Sequence, residues 1–312
     1  MIETIATAEL PVHEVMRIKK NSLVPEQLTG NEQRLCIVTG VHGDDLAGQF
    51  ICYEVIRRIK ENFKALTGIV DVYPAINPLG LDVGTREWPL FNMDMNMAFP
   101  GSFEGTMTEY TAAKIIEDLK GANVCIDIHS SSIFLKEVPQ VRINDDVANS
   151  LMPYAKQMNM DFVWIHPSTT VKEGSIVNAL NAMGTKAMVI EGDAALRIDQ
   201  KYCNQVVDGV FSLMKYMGIW SAPVKEPKKP IISDDGKVIF INSETSGVFV
   251  PHAEHSNYVK CGEKIGEIIA PLTGSIEEEI FAPCDGLLFT LRDYPVVSEG
   301  ALLARILGGN YD

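Results

Sequence analysis

Three apolar runs in this 312-residue chain end in side chains able to bind a metal or move a proton. In VTGVHGDD (38–45) a strand-like run leads to His42, Gly43 permits a sharp turn, and Asp45 stands where a helix should begin. Donors at i and i+3 across such a turn can converge on one ion, and a neutral imidazole beside a carboxylate suits Zn²⁺. Asp45 would equally serve as an ordinary helix cap, with His42 a turn residue. In CIDIHSSS (125–132) His129 ends a second run. Asp127 falls on the same strand face, where it can accept the far N–H of a ligating imidazole or be satisfied by loop backbone. In MVIEGD (188–193) Glu191 ends a third run, and a carboxylate so placed needs a partner because desolvating its charge is expensive.

Open α/β sheets bind ligands beyond the carboxyl ends of their strands, so three such ends are a plausible single site. A catalytic zinc needs three protein ligands and an open position, with a free carboxylate nearby to take a proton from water. His42, Asp45 and His129 fill the ligand roles, for one Zn²⁺ per chain, and Glu191 that of general base and acid.

The elements that must position these residues follow from periodicity. Strands are expected at 34–41, 68–76, 123–130, 161–166 and 185–192, each a short apolar run bounded by Gly, Asn or Pro. Helices are expected at 45–63, 106–120, 145–158 (with Pro153 inside), 174–183 and 199–217. The second opens on Thr106 with Glu109 three residues on, a capping-box pattern. Alternation of this kind predicts an α/β domain with helices on both faces of a mostly parallel sheet. The 29 residues of 77–105 show little periodicity and read as a functional or disordered loop. SAPVKEPKKP (221–230) reads as a linker, dividing the chain into 1–224 and 225–312. Beyond it, KVIFIN, GVFVP, IGEIIAP, EEIFAP, GLLFTL and ALLARI predict an all-β module.

Composition narrows the function classes. With 27 basic against 41 acidic residues the net charge is −14, which leaves no surplus cation for a nucleic-acid backbone. No apolar run is long enough to span a membrane, and no secretory signal is visible. The six scattered cysteines read as reduced, so a cytoplasmic protein is expected.

In order along the chain, GVHGDD (40–45), NPLGLDVGTREWP (77–89), DMNMAFPG (94–101), DIHSSS (127–132) and GTKAMVIEGD (184–193) resemble the succinylglutamate desuccinylase/aspartoacylase family, relatives of the zinc carboxypeptidases. The resemblance implies a carboxypeptidase-like domain followed by a small β domain. It further implies a zinc-dependent hydrolase that cleaves an amide of a small N-acyl amino acid or related compound. It also assigns Arg86 and Asn96 to substrate binding, Arg86 contacting a carboxylate or polarising the scissile carbonyl. Two departures stand out. Asp45 replaces the family's usual Glu, one methylene longer, and Met97 replaces an Arg that would fork onto a substrate carboxylate. Asp44 is the fallback ligand. Without that Arg, the expected substrate lacks the usual α-carboxylate at this subsite and is neutral or cationic.

Other residues carry weaker signals. His166 reads as a packing residue near the cleft and Arg142 as one that could reach it. His252 and His255 read as solvated loop histidines, and Met93, Met95 and Met97 as an apolar wall. The C-terminal module is similar to the barrel-sandwich fold of biotinyl and lipoyl domains. Its APLTGSIEEEIFAP stretch has no lysine to carry a cofactor, so the module is expected to narrow the cleft. The expected partner is a small-molecule amide, with no nucleic acid and no membrane, and a homo-oligomer is left open. A carboxypeptidase-like peptidase and a degenerate ligand-binding relative are the alternatives. Loss of the Arg at Met97 counts against the first, and the two departures together are what would mark the second.

Overall fold

The computed structural model describes residues 1–167, 175–234 and 237–308. Among the described residues ten strands precede the C-terminal module: β1 (Ile2–Glu9), β2 (Val15–Leu23), β3 (Arg34–Thr39), β4 (Ile69–Tyr73), β5 (Val124–Ile128), β6 (Leu135–Glu137), β7 (Gln140–Asn144), β8 (Phe162–His166), β9 (Lys186–Glu191) and β10 (Ile231–Asp234). All but β6 form one sheet in the order β1-β2-β4-β3-β5-β9-β7-β8-β10. Five of its eight pairings are parallel, β3–β4, β3–β5, β5–β9, β7–β8 and β8–β10. The helices are α1 (Leu46–Glu61), α2 (Pro78–Val83), α3 (Met107–Leu119), α4 (Ala148–Ala155), α5 (Ile176–Ala182) and α6 (Gln200–Tyr216). Residue 174, where the fourth expected helix was to begin, lies outside the described residues.

Strand alternation explains why helices cover both faces. Leu35 and Ile37 of β3, with Val124, Ile126 and Ile128 of β5, pack against α1, α4 and α6. Cys36, Val38 and Cys125 point the other way, toward α3 and α5. A strand buried on both faces must be apolar throughout, which is what makes these runs conspicuous in the sequence. The capping box of α3 is present in full, with Thr106 and Glu109 each accepting from the other's backbone N–H.

After β10 come β11 (Val238–Asn242), β12 (Gly247–Pro251), β13 (Tyr258–Val259), β14 (Lys264–Ala270), β15 (Ser275–Phe281), β16 (Gly286–Arg292), β17 (Val296–Val297) and β18 (Leu302–Gly308). They form two antiparallel sheets around a core that includes Phe249, Ile268, Leu288 and Ile306. One strand crosses between the two sheet systems. β6 pairs with β16 of the β module, and β10, which follows the Lys/Pro-rich stretch, pairs with β8 of the large sheet.

The long segment 77–105 is ordered by specific contacts. Asn77 is fully buried and caps α2, its side chain accepting from Gly80 N–H, while its amide donates to the Glu87 carbonyl at 3.2 Å. Trp88 and Met95 are fully buried, whereas Met97 is exposed. Sequence periodicity cannot register such anchoring, because it depends on single buried residues rather than a repeated face.

Candidate active site

His42 and Asp45 lie in the turn between β3 and α1, and His129 directly follows β5. Strands β3 and β5 are parallel neighbours, and the chain goes from β3 to β4 on one side and then crosses to β5 on the other. This is the topological switch point where open sheets form their ligand crevice. Two glycines set the turn. A Cβ on Gly48 would meet Thr39 Oγ1 at 1.7 Å, so only glycine lets α1 sit this close to β3. A Cβ on Gly43 would meet the Gly80 carbonyl carbon at 2.0 Å. Gly43 is therefore required by the approach of α2, and it does not adopt the left-handed backbone that a sharp turn would have needed.

Asp45 occupies the N-cap position of α1, yet its side chain makes no capping bond. Instead Oδ1 accepts from Ser130 N–H at 2.8 Å, which turns Oδ2 toward both imidazoles. His129 Nδ1 is 3.0 Å from Asp45 Oδ2 and 3.2 Å from His42 Nδ1. His42 Nδ1 is 3.3 Å from the same carboxylate oxygen. Ligands about 2.0 Å from a tetrahedral ion stand roughly 3.3 Å apart, so these three donors match three corners of such a site. All three residues are buried.

The outer nitrogens are also committed. His129 Nε2 donates to Asp127 Oδ2 at 2.9 Å, and His42 Nε2 to Asp94 Oδ1 at 3.1 Å. Each imidazole thus presents Nδ1 to the centre, its tautomer fixed by a carboxylate behind it. Burial disfavours protonation of His42 and His129, but the facing carboxylates outweigh it and raise both above the ordinary histidine value, His129 well above. Burial likewise opposes ionisation of Asp45, and the two histidines overcome it, holding the carboxyl well below its usual range. Two imidazoles and a carboxylate that all favour added positive charge are a fitting donor set for a divalent cation. Asp44 points elsewhere and is not part of this cluster.

The cluster opens into a cleft of about 540 Å³ whose lining includes Arg86, Asn96, Arg142 and Glu191. Arg86 donates to Asp94 Oδ2 at 3.1 Å, and the Asn96 amide lies 3.3 Å from His42 Nε2. Met97 does not line the cleft, so no cation enters it from that position. Glu191, at the end of β9, pairs through Oε2 with Arg142 Nη1 at 2.6 Å. Burial and neighbouring Glu137 raise its pKa against the pull of Arg142. His166 lines the cleft while packing on Trp164, ring centroids 4.1 Å apart. Burial, then Arg142 and Arg305, push its pKa down to about 3, which keeps the ring neutral.

Several residues here were not singled out by the sequence reading. Asp94 opens the DMNMAFPG motif, and its spacing two before Asn96 was the available signal. Glu137 and Arg305 had none, since each belongs to a strand of the β module's sheet that reaches the cleft only through tertiary pairing.

A mixed α/β sheet thus carries a buried His-Asp-His cluster at its switch point, with an antiparallel β module behind it. The succinylglutamate desuccinylase/aspartoacylase catalytic-domain family model matches residues 31–217, and the chain belongs to this family of deacylases. An N-alpha-acetyl-L-2,4-diaminobutyric acid deacetylase of Halomonas elongata is 23% identical over 284 residues, covering 86% of this chain and 80% of its own. The crystal structure of a succinylglutamate desuccinylase/aspartoacylase from Rhodobacter sphaeroides superposes with a TM-score of 0.83 at 18% identity, covering 99% of this chain and 96% of that one. The product-bound ectoine utilization protein EutE (DoeB) from Ruegeria pomeroyi gives 0.82 at 19% identity, covering 97% and 93%. At these identities the structural likeness speaks for the fold. Among the described residues no helix is long and apolar enough to cross a membrane.

Proposed function

We propose that this protein is a zinc-dependent deacylase that hydrolyses the amide bond of a small N-acyl amino acid or related amide. The observation that carries the reading is the convergence of His42 Nδ1, His129 Nδ1 and Asp45 Oδ2 within 3.0–3.3 Å of one another, beside a cleft that also holds Glu191. Those three residues would hold the ion. A zinc ion supplies Lewis acidity, which acidifies water and polarises a carbonyl. Glu191 accepts the proton of the attacking water and returns it to the departing amine, while the hydroxyl stays with the acyl carbon as the carboxylate product. Burial raises its pKa, which favours its taking up that proton. Arg86 and Asn96 orient the substrate, with Arg86 facing the charge that develops on the carbonyl oxygen.

The amine half of the substrate is neutral or carries its own cation. Met97 supplies no guanidinium to the cleft, and the cleft's Arg142 and Arg305 are both engaged by carboxylates. The Halomonas relative is named for an acetylated diamino acid, which fits this charge balance. The test is a hydrolysis screen with zinc-loaded protein, setting N-acylated acidic amino acids against neutral and basic ones. Turnover of the neutral or basic set, abolished in Glu191→Gln with zinc content unchanged, supports the reading. A clear preference for the acidic set overturns the substrate forecast, and full activity in Glu191→Gln removes the assigned base.

A further inference from the structure

The β module touches the cleft through Arg305, and the contact leads back to Glu191. Glu137 is almost wholly enclosed, its side chain 1% exposed, and each of its oxygens is held twice. Oε1 accepts from Thr290 Oγ1 at 3.1 Å and pairs with Arg305 Nη1. Oε2 accepts from Gln140 Nε2 at 3.0 Å and from Arg142 Nη2 at 2.7 Å. The other arm of Arg142, Nη1, is 2.6 Å from Glu191 Oε2. Charges therefore alternate along one line, Arg305, Glu137, Arg142, Glu191. The two guanidinium groups are further steadied over the Trp164 ring, 5.2 and 5.4 Å from its centroid. Arg305 is presented by the register of the β module, where it stands opposite Thr290 on β16 and Phe240 on β11.

We infer that Arg305 is a positioning residue for the catalytic carboxylate, acting through Glu137 and Arg142. The inference rests on the reading of Glu191 as the base. A buried carboxylate cannot be left with half its charge partners, because the cost of an unpaired buried ion exceeds that of rearranging a neighbour. With Arg305 in place, Glu137 is satisfied on Oε1 and leaves one arm of Arg142 to hold Glu191. Without it, two carboxylates compete for one guanidinium, Arg142 moves toward the more enclosed Glu137, and Glu191 loses its fixed position. The module thus takes part in the chemistry at one remove.

The decisive comparison is Arg305→Met against the double variant Arg305→Met/Glu137→Gln, in the full-length zinc-loaded protein. The single variant is expected to lower kcat roughly 10- to 100-fold with KM little changed, the size of effect that a misplacement of about 1 Å produces. The second substitution removes the orphaned charge, so it is expected to restore kcat at least partway. A merely structural lesion would be worsened by a second one. Crystal structures supply a readout independent of turnover: in Arg305→Met the Arg142 guanidinium should shift toward Glu137, and in the double variant it should return to Glu191. An unmoved Arg142, an effect confined to KM, or a double variant no better than the single overturns the inference. Should Arg305→Met fail to fold, the double variant stands alone, and a guanidinium still paired with Glu191 supports the inference while a displaced one overturns it. If Glu191→Gln is fully active while Arg142 moves as expected, it is the assignment of the base that fails.

Discussion

At the His42 end of the cleft, with the imidazoles neutral as metal ligands must be, negative charges outnumber positive ones. Asp45, Asp94 and Asp127 surround two imidazoles, and among the described residues Arg86 is the guanidinium bonded to them. At the Arg305 end two arginines and two glutamates alternate and balance. The first region is electrostatically incomplete and favours a cation from outside. The second pairs its charges among the described residues and can hold the Glu191 carboxylate in place without an ion. Damage should accordingly have different signatures, loss of metal at one end and rearrangement with metal retained at the other.

The largest effect is expected from the ligands. Asp45→Ala or His129→Ala should lower zinc content to below about a tenth of stoichiometric, since each removes one of three protein donors. Hydrolysis should fall about a thousandfold or more, the several kcal/mol that a metal's charge stabilisation provides. Glu137→Gln, at the other end, should keep its zinc. Metal analysis of the purified variants decides the matter, and loss of zinc in Glu137→Gln would erase the distinction between the two ends.

A smaller effect separates ligands from the groups behind them. Asp94→Asn leaves His42 Nδ1 free to ligate but weakens the carboxylate that fixes its tautomer, so zinc affinity should drop about 10- to 100-fold. The pH dependence has a definite sign. His42 and His129 have raised pKa values, so protons begin to compete for both nitrogens at a higher pH than for an ordinary histidine. Zinc affinity in the wild type should therefore weaken as pH falls from 8 to 6. In Asp94→Asn the proton's hold on His42 is weaker and that competition should set in at lower pH. Chelator-competition titrations at three pH values measure both, and an affinity indifferent to pH would mean the imidazoles are not the donors.

The contrast between the two ends also explains what could be read in the sequence. His42 follows β3 by three residues, His129 directly follows β5 and Glu191 ends β9; these are adjacent parallel strands whose burial on both faces makes them mostly apolar. A polar residue closing such a run is visible without knowing the fold. The helices α1, α3 and α6 were legible for a related reason, since their buried faces recur at helical spacing and their starts carry Asp45, Thr106 and Asp199. The first of these marked the boundary correctly while its side chain serves elsewhere, a distinction that residue type alone cannot make. The Arg305 end has no such signature. Glu137 sits in a three-residue strand that joins another module's sheet, and Arg305 lies about 170 residues away in an unremarkable alternating strand. Their meeting depends on pairing register, which periodicity does not encode. The N-terminal hairpin β1–β2 was missed for a simpler reason: the buried positions of β1 are Ala6 and Ala8, whose small side chains give little hydrophobic signal.

The smallest effect tests the charge balance directly. Met97 is exposed beside Asn96, at the position where the resemblance leads one to expect an Arg. Met97→Arg would add a solvent-screened guanidinium near the cleft, and such exposed charges contribute at most about 1 kcal/mol, or roughly fivefold. The substitution should raise kcat/KM for N-acylated acidic amino acids by that order and leave neutral substrates almost untouched. The ratio of the two kcat/KM values isolates the effect from any change in stability or metal content. A ratio that does not move would mean that selection for charge is set away from Met97, by the guanidinium groups that line the cleft among the described residues, Arg86, Arg142 and Arg305.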